Sequence, residues 1–316
     1  MKNLSIIFFG NTKYSTIGAR IINSTHPLSL IITKKLDFNP VKNMAEKLNI
    51  PLVETDKLDQ TVIERVKKQQ PDFLVVEDFG LILPDELLSI PGYASLNIHH
   101  SILPKYRGPS PAPFAILNGD KVSGVTVIQM TKEVDAGDLL AQKEYVLSAK
   151  ENTDSLLTTL NKMGGELLVS VINKYLKREI KPIKQDQSKA TYTKHFTKQD
   201  GFFDIENPPS PEVLDRMIRA YYPWPGVWTR WKGKIVKFLP SVILTRLSAG
   251  GSEGGEGSLA HARPTYARFA DSARRVGDSS SKTPQNDKIL IQMEGKKVMP
   301  IQDFLNGYPD FPLKEL

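Results

Sequence analysis

The feature that most constrains the fold is an alternation: apolar runs at residues 4–9, 28–33, 73–76 and 95–98 are separated by polar and amphipathic stretches. Runs that short do not make buried helices, and lacking internal polar alternation they read as strands covered on both faces. Residues 60–70 put Val62, Ile63 and Val66 on one side of a helix. Strands alternating with helices form βαβ units, which predicts an α/β, Rossmann-like domain around a mostly parallel sheet. Runs at 124–130 and 139–146 add two more strands. From Thr153, a residue type suited to capping, Leu156, Leu160, Leu167, Val171 and Tyr175 recur at helical spacing to residue 177. That helix closes a first domain, residues 1–180.

Residues 181–205 have no periodicity and read as a linker; residues 206–316 change character. EVLDRMIRA gives a short helix, Pro-Trp-Pro a break, and two β-like runs meet at Lys232-Gly233, the hairpin expected to open a small OB-like β-barrel. Residues 245–286 are atypical, rich in Gly, Ser and Arg, with no lysine between Lys237 and Lys282, and their GGSEGGEGS predicts a flexible loop. Pattern returns at KILIQMEGKKVMPIQDFL as a strand, a turn and a short helix.

Composition narrows the chemistry. A formal charge of +7 favours an anionic partner such as a nucleic acid, although a well-solvated lysine-rich surface gives the same number. The absence of cysteine excludes disulfides and thiolate nucleophiles and fits a reducing cytoplasm. The five histidines show no HExxH-type spacing, so no metal is expected. No apolar run approaches the roughly 18 residues of a membrane span. Gly10 and Gly18 lack the G-x-G-x-x-G spacing of dinucleotide sites, which disfavours a nicotinamide cofactor.

Ligands of open α/β sheets bind at the carboxyl ends of strands, where Asn97 and His99 fall. Residues i and i+2 of a strand point to the same side, so an amide donor and an imidazole project together while Ile98 faces the core. Such a pair can hold an oxyanion. A carboxylate opposite would orient the ring, and Asp135 or Asp138 in the downstream turn can supply it. N-x-H alone is equally the mark of a polar strand end with no function.

Longer blocks add to it. Asn97-Ile98-His99 is followed by Ser101-Ile102-Leu103-Pro104-Lys105-Tyr106-Arg107-Gly108, then by Gly124-Val125-Thr126-Val127-Ile128-Gln129-Met130 and Val134-Asp135-Ala136-Gly137-Asp138. In order and spacing these blocks resemble the formyltransferases that use 10-formyltetrahydrofolate. The likeness extends to FGLILP at 79–84, RAYYPWP at 219–225 and GKKVMPIQDFLNG near the end, and is greatest to the members that formylate methionyl-tRNA. The resemblance implies that Asn97 and His99 bind the formyl oxygen, while Asp135 holds His99 and helps take the amine's proton. It implies a folate cleft lined by the backbone of Phe79, Gly80, Leu81, Ile82 and Leu83, by the turn Ser101, Ile102, Leu103 and Pro104, and by the Asp135 loop. His100 stands where family members usually carry a small residue, and its ring is expected to pack or to face solvent.

The implied partners are 10-formyltetrahydrofolate and methionyl-tRNA bearing the initiator tRNA, used by a cytoplasmic monomer without metal or membrane. Phosphates would be met by Arg230, Lys232, Lys234 and Lys237 beside Lys34, Lys35 and Lys42. The alternative is a formyltransferase for a small amine such as an amino sugar nucleotide, to which the short basic stretch around Lys34, Lys35 and Lys42 points. A third reading is a nucleic-acid-binding module, since TRWKGKIVKF interleaves bases and aromatics.

Overall fold

The structure is a computed structural model and describes residues 4–240 and 289–313. The chain divides into two compact units, Met1–Ala115, Asp120–Ala149 and Ser155–His195 in one, and Ile116–Gly119, Lys150–Asp154 and Phe196–Leu316 in the other.

The first unit is built on strands β1 (Ile6–Gly10), β2 (Leu28–Thr33), β3 (Leu52–Glu54), β4 (Phe73–Glu77), β5 (Ala94–His99), β6 (Val122–Gln129) and β7 (Leu139–Val146). They form one sheet in the order β3-β2-β1-β4-β5-β6-β7. Neighbours from β3 to β5 run parallel, and β6 runs antiparallel to both β5 and β7. The central strands β1 and β4 are buried at every position, as their apolar runs Ile6–Phe9 and Phe73–Val76 require, and at the end of β4 the burial includes Glu77. Alternate residues of β1 enter opposite cores: Ile6 and Phe8 pack with Ile22, Leu168 and Val171, while Ile7 and Phe9 pack with Val62, Ile63 and Val66. Those partners come from helices α1 (Ser15–Thr25), α3 (Gln60–Lys68) and α6 (Thr153–Leu176), with α2 (Pro40–Lys47), α4 (Asp85–Leu88) and α5 (Pro111–Leu117) between. Asn39 and Asp59 accept hydrogen bonds from the first free N–H groups of α2 and α3, which sets where those helices start.

The mostly parallel α/β architecture expected from the sequence is therefore present. Thr153 is not the cap expected of it: it is the first residue of α6, and its hydroxyl donates to the Ala220 carbonyl at 2.6 Å. Residues 181–205 depart from the linker expectation. Leu139 and Ile183 exchange backbone hydrogen bonds of 2.8 and 2.9 Å, and Arg107 and Tyr192 form a parallel bridge. Isolated bridges impose no side-chain period, so the sequence carries no trace of them.

In the second unit Ser210 caps α7 (Pro211–Ala220), with proline in the first turn. β8 (Val227–Trp231), β9 (Lys234–Pro240), β10 (Ile289–Met293) and β11 (Met299–Pro300) form an antiparallel sheet in the order β11-β10-β9-β8, and α8 (Ile301–Gly307) follows. Lys232 and Gly233 both take positive φ, 47° and 74°, the geometry of a two-residue hairpin turn that follows the strands' twist. One face of the sheet is apolar: Val227, Trp231, Val236, Phe238 and Ile291 pack with Leu214, Ile218, Phe304 and Phe311. Among the described residues this sheet is open, with β8 and β11 as edges, and does not close into the expected OB-like barrel. The stretch 245–286, read above as a flexible loop, lies outside the described residues.

Candidate active site

β5 ends by delivering Asn97 and His99 to one side, and the turn after β6 returns Asp135 to them. Asn97 Nδ2 donates to Asp135 Oδ1 at 3.3 Å, His99 Nδ1 lies 3.6 Å from the same oxygen, and the Gly108 N–H donates to Oδ2 at 2.8 Å. His99 Nε2 is 2.8 Å from the Tyr106 carbonyl oxygen. A carbonyl only accepts, so Nε2 carries the proton donated there and Nδ1 is the ring atom turned to the carboxylate. His99 is buried and Asp135 only slightly exposed, so the polar contacts operate with little competing water.

The turns that present these groups hold unusual backbone. Tyr106 and Asp135 adopt positive φ of 64° and 52°, a conformation unfavourable for residues with side chains and concentrated at functional sites. Gly137 passes so close to β6 that a Cβ would lie 1.8 Å from the Gln129 carbonyl oxygen, so only glycine fits there. Gln185 donates from Nε2 to the carbonyls of Asp135 and Gly137, at 2.8 and 2.7 Å. Its Oε1 accepts from the buried Arg107, from Nε at 3.2 Å and Nη2 at 2.7 Å. Asp138, the other carboxylate open to the sequence reading, pairs with the exposed Lys184 at 3.0 Å.

Of the expected folate-lining residues, Phe79, Leu83, Ser101 and Leu103 are buried; Phe79 and Leu83 join the core on the Val62–Val66 side of the sheet, together with Leu81 and Met130. Ile82 is 78% exposed, and Gly80, with φ of 77°, is exposed beside it. The Ser101–Pro104 turn is internally bonded: the Ser101 and Leu103 carbonyls accept from Thr126 and Gln142, the Leu103 N–H donates to Thr126 and the Pro104 carbonyl accepts from the Thr191 N–H. Ile102 packs where a side chain on Gly124 would collide with it.

Next to the His99 side of β5 the structure adds a cluster that sequence reasoning missed. His100, expected to pack or to face solvent, is buried between two carboxylates: Nδ1 lies 3.4 Å from Asp78 Oδ1, and Nε2 lies 3.6 Å from Glu77 Oε1. Burial alone would disfavour the charged ring, but Asp78 and Glu77 outweigh it and raise the His100 pKa to about 10. Burial pushes the fully enclosed Glu77 up to about 8, against the opposing pull of His100. Asp78 goes the other way: burial opposes its charge, but His100 and a 3.2 Å hydrogen bond from Thr12 hold it below the usual carboxylate range. At neutral pH the cluster is thus a His100–Asp78 ion pair beside a protonated Glu77. Two acids ending an apolar strand, in LVVED, were the available signal.

In the second unit Lys198 Nζ lies 5.6 and 5.7 Å from the rings of Trp224 and Trp228, and Trp228 stands opposite Lys237 across β8 and β9. Arg230 is exposed on the same alternate positions of β8. Lys232 pairs with Asp310, and in the first unit Lys42 pairs with Glu54 at 2.7 Å, so these two expected phosphate ligands already have acidic partners. Among the described residues no His, Cys, Asp or Glu side chains group as metal ligands, and no helix is long and apolar enough to cross a membrane.

The formyl transferase family model matches residues 9–172, and the model of the formyl transferase C-terminal domain matches residues 195–275. A methionyl-tRNA formyltransferase of Clostridium novyi is 32% identical, over 96% of this chain and 97% of its own length. One from Thermodesulfovibrio yellowstonii is 31% identical, over 96% and 95%. Among solved structures, a 4-N formyltransferase from Francisella tularensis superposes with a TM-score of 0.61 at 20% identity, over 75% of this chain and 97% of that one. HypX from Aquifex aeolicus, solved with tetrahydrofolic acid, gives 0.58 at 18%, over 75% of this chain and 38% of that one. At those identities the solved structures speak to the fold alone. With both family models matched, and with relatives of that identity along nearly all of its length, the chain belongs to the formyltransferase family.

Proposed function

We propose that the protein transfers a formyl group from 10-formyltetrahydrofolate to the free amino group of methionyl-tRNA, the initiator species of translation. The observation that carries this reading is the convergence of Asn97, His99 and the Gly108 N–H on Asp135 in a chain whose full-length relatives are methionyl-tRNA formyltransferases. The residues fit the donor: a half-buried amide and a buried imidazole are groups that suit an acyl oxygen as it gains charge, and the carboxylate beside them suits an amine that must lose a proton.

10-Formyltetrahydrofolate supplies the carbonyl carbon that the amine attacks. Asn97 Nδ2 and a protonated His99 Nδ1 donate to the formyl oxygen as negative charge develops there. Asp135 keeps the His99 ring turned to the site and takes the proton that the amine loses on forming its new C–N bond. That proton returns to the folate nitrogen when the old C–N bond breaks, so charge balances over the cycle. The exposed backbone around Gly80 and Ile82, after β4, provides one wall for the folate. The turn of Ser101, Ile102, Leu103 and Pro104 serves as a preformed second wall, because its own hydrogen bonds are largely made within the protein.

For the tRNA we assign the basic and aromatic face of the second unit, Lys198, Arg230 and Lys237 with Trp224 and Trp228, where cations meet phosphates and rings offer stacking surfaces. The enzyme is read as a cytoplasmic monomer. The purified protein, given 10-formyltetrahydrofolate with methionyl-tRNA, unacylated tRNA or an amino sugar nucleotide, is expected to formylate only the first. Formylation of the sugar nucleotide in preference to methionyl-tRNA would move the assignment to the small-amine alternative.

A further inference from the structure

We infer that Gln185 is a positioning residue for the reaction, a clip that holds the turn carrying Asp135 and ties it to the buried Arg107. This rests on the reading of Asp135 as the catalytic carboxylate. Gln185 is 6% exposed, and its amide is saturated: both N–H groups donate to the carbonyls of Asp135 and Gly137, and Oε1 accepts twice from Arg107. The orientation is forced from both ends, because carbonyls only accept and a guanidinium only donates. Arg107 is 2% exposed, and Gln187 Oε1 accepts a third hydrogen bond, from its Nη1, at 2.8 Å. The Arg107 backbone is bridged to the segment that follows Gln185, with N–H to the Thr191 carbonyl at 2.8 Å and carbonyl to the Thr193 N–H at 2.7 Å.

The turn needs such a clip. Asp135 holds positive φ, residues 131–134 before it are exposed, and its carboxylate works only within reach of His99 and Asn97. Gly108, adjacent to Arg107, donates to Asp135 Oδ2, so side chain and backbone of Asp135 are held from the two ends of one network. A buried cation against Oε1 polarises the amide and strengthens its N–H donation to the turn.

Gln185→Glu separates the two ends of the clip. It keeps an acceptor for Arg107 and charges it, but sets a carboxylate against two carbonyl oxygens in place of two N–H donors. Gln185→Met keeps the bulk and loses both ends. We expect Gln185→Glu to lower kcat about 10- to 100-fold, the effect of moving a catalytic group by an ångström, with the KM for methionyl-tRNA unchanged. Both variants, without ligand, should exchange amide hydrogens faster in the peptide 131–139 and nowhere else. Gln185→Glu with wild-type kcat and exchange overturns the inference; should that variant fail to melt cooperatively, unchanged exchange in Gln185→Met overturns it instead. Asp135→Asn is the separate check on the underlying reading: wild-type activity there sinks the role of Asp135 itself, whereas inactive Asp135→Asn beside fully active Gln185→Glu sinks only the clip.

Discussion

Asn97 makes its contact to Asp135 through the side chain while its backbone stays in the ladder between β4 and β6, so Asn97→Ala removes a donor and leaves the sheet intact. The catalytic rate is expected to fall about 100- to 1,000-fold, with little change in tetrahydrofolate affinity. Single-turnover formylation and a folate titration check it, and a rate within a few-fold of wild type removes Asn97 from the mechanism. Glu77 gives a second test, in stability. Its folded pKa is raised from 4.5 to about 8, so the folded state binds the proton that the unfolded state releases, and the stability it contributes is present below pH 4.5 and lost as pH rises through about 8. His100, raised from 6.5 to about 10, acts in the same direction but over a higher window. The unfolding free energy of the wild type should therefore fall between pH 5 and 8, by at most about 1.4 kcal/mol per pH unit for one proton. Glu77→Gln, a neutral isostere, should flatten that slope. Urea unfolding across the range decides it, and parallel curves for the two proteins would exclude a titrating Glu77.

Helix α1 can lie against β4 only because Gly18 has no side chain: a Cβ there would fall 2.1 Å from Glu77 Oε2. Gly165 of α6 plays the same part against α1, with a Cβ 3.0 Å from the Gly18 Cα. Glycine costs a helix about 1 kcal/mol relative to alanine, so its presence in α1 reflects close packing against a carboxyl group that has no route to solvent. Gly18→Ala should recover that propensity and still lose about 1–3 kcal/mol to overpacking, and Gly165→Ala should cost less. Thermal melts of both variants rank them, and a stabilised Gly18→Ala would show that Glu77 moves freely. The strap from Ile183 to Thr193 is the element that sequence reading could not find. It is held by single bridges and by side chains such as Gln185 and Thr193, and leaves neither a period of 2 nor of 3.6.

For the molecule as a whole, methionyl-tRNA binding should weaken with salt, because each phosphate contact releases counterions. Lys198→Ala, Arg230→Ala and Lys237→Ala should each shrink the log–log slope of affinity against salt by up to about one, while Lys232→Ala, whose ammonium is already paired with Asp310, should change it less. Filter binding across a salt series checks this, and a slope indifferent to all four substitutions takes the second unit out of the tRNA interface. The sequence by itself determined the parallel sheet, since β1, β2 and β4 are apolar at nearly every position and have no alternative but burial on both faces. It also determined the pairing of Asn97 with His99, because strand periodicity puts residues i and i+2 on one side. Strand period left Asp135 and Asp138, three residues apart on one turn, both open, and only the resemblance pointed to Asp135; in the tertiary structure Asp135 meets His99 and Asp138 meets Lys184. The tertiary structure alone closed Glu77, Asp78 and His100 into a buried ionic cluster and brought Gln185 to the turn that carries Asp135, 50 residues away along the chain. Contacts of that kind depend on where distant segments cross, and a hydrophobic period records which face of an element is buried but nothing of what it meets there.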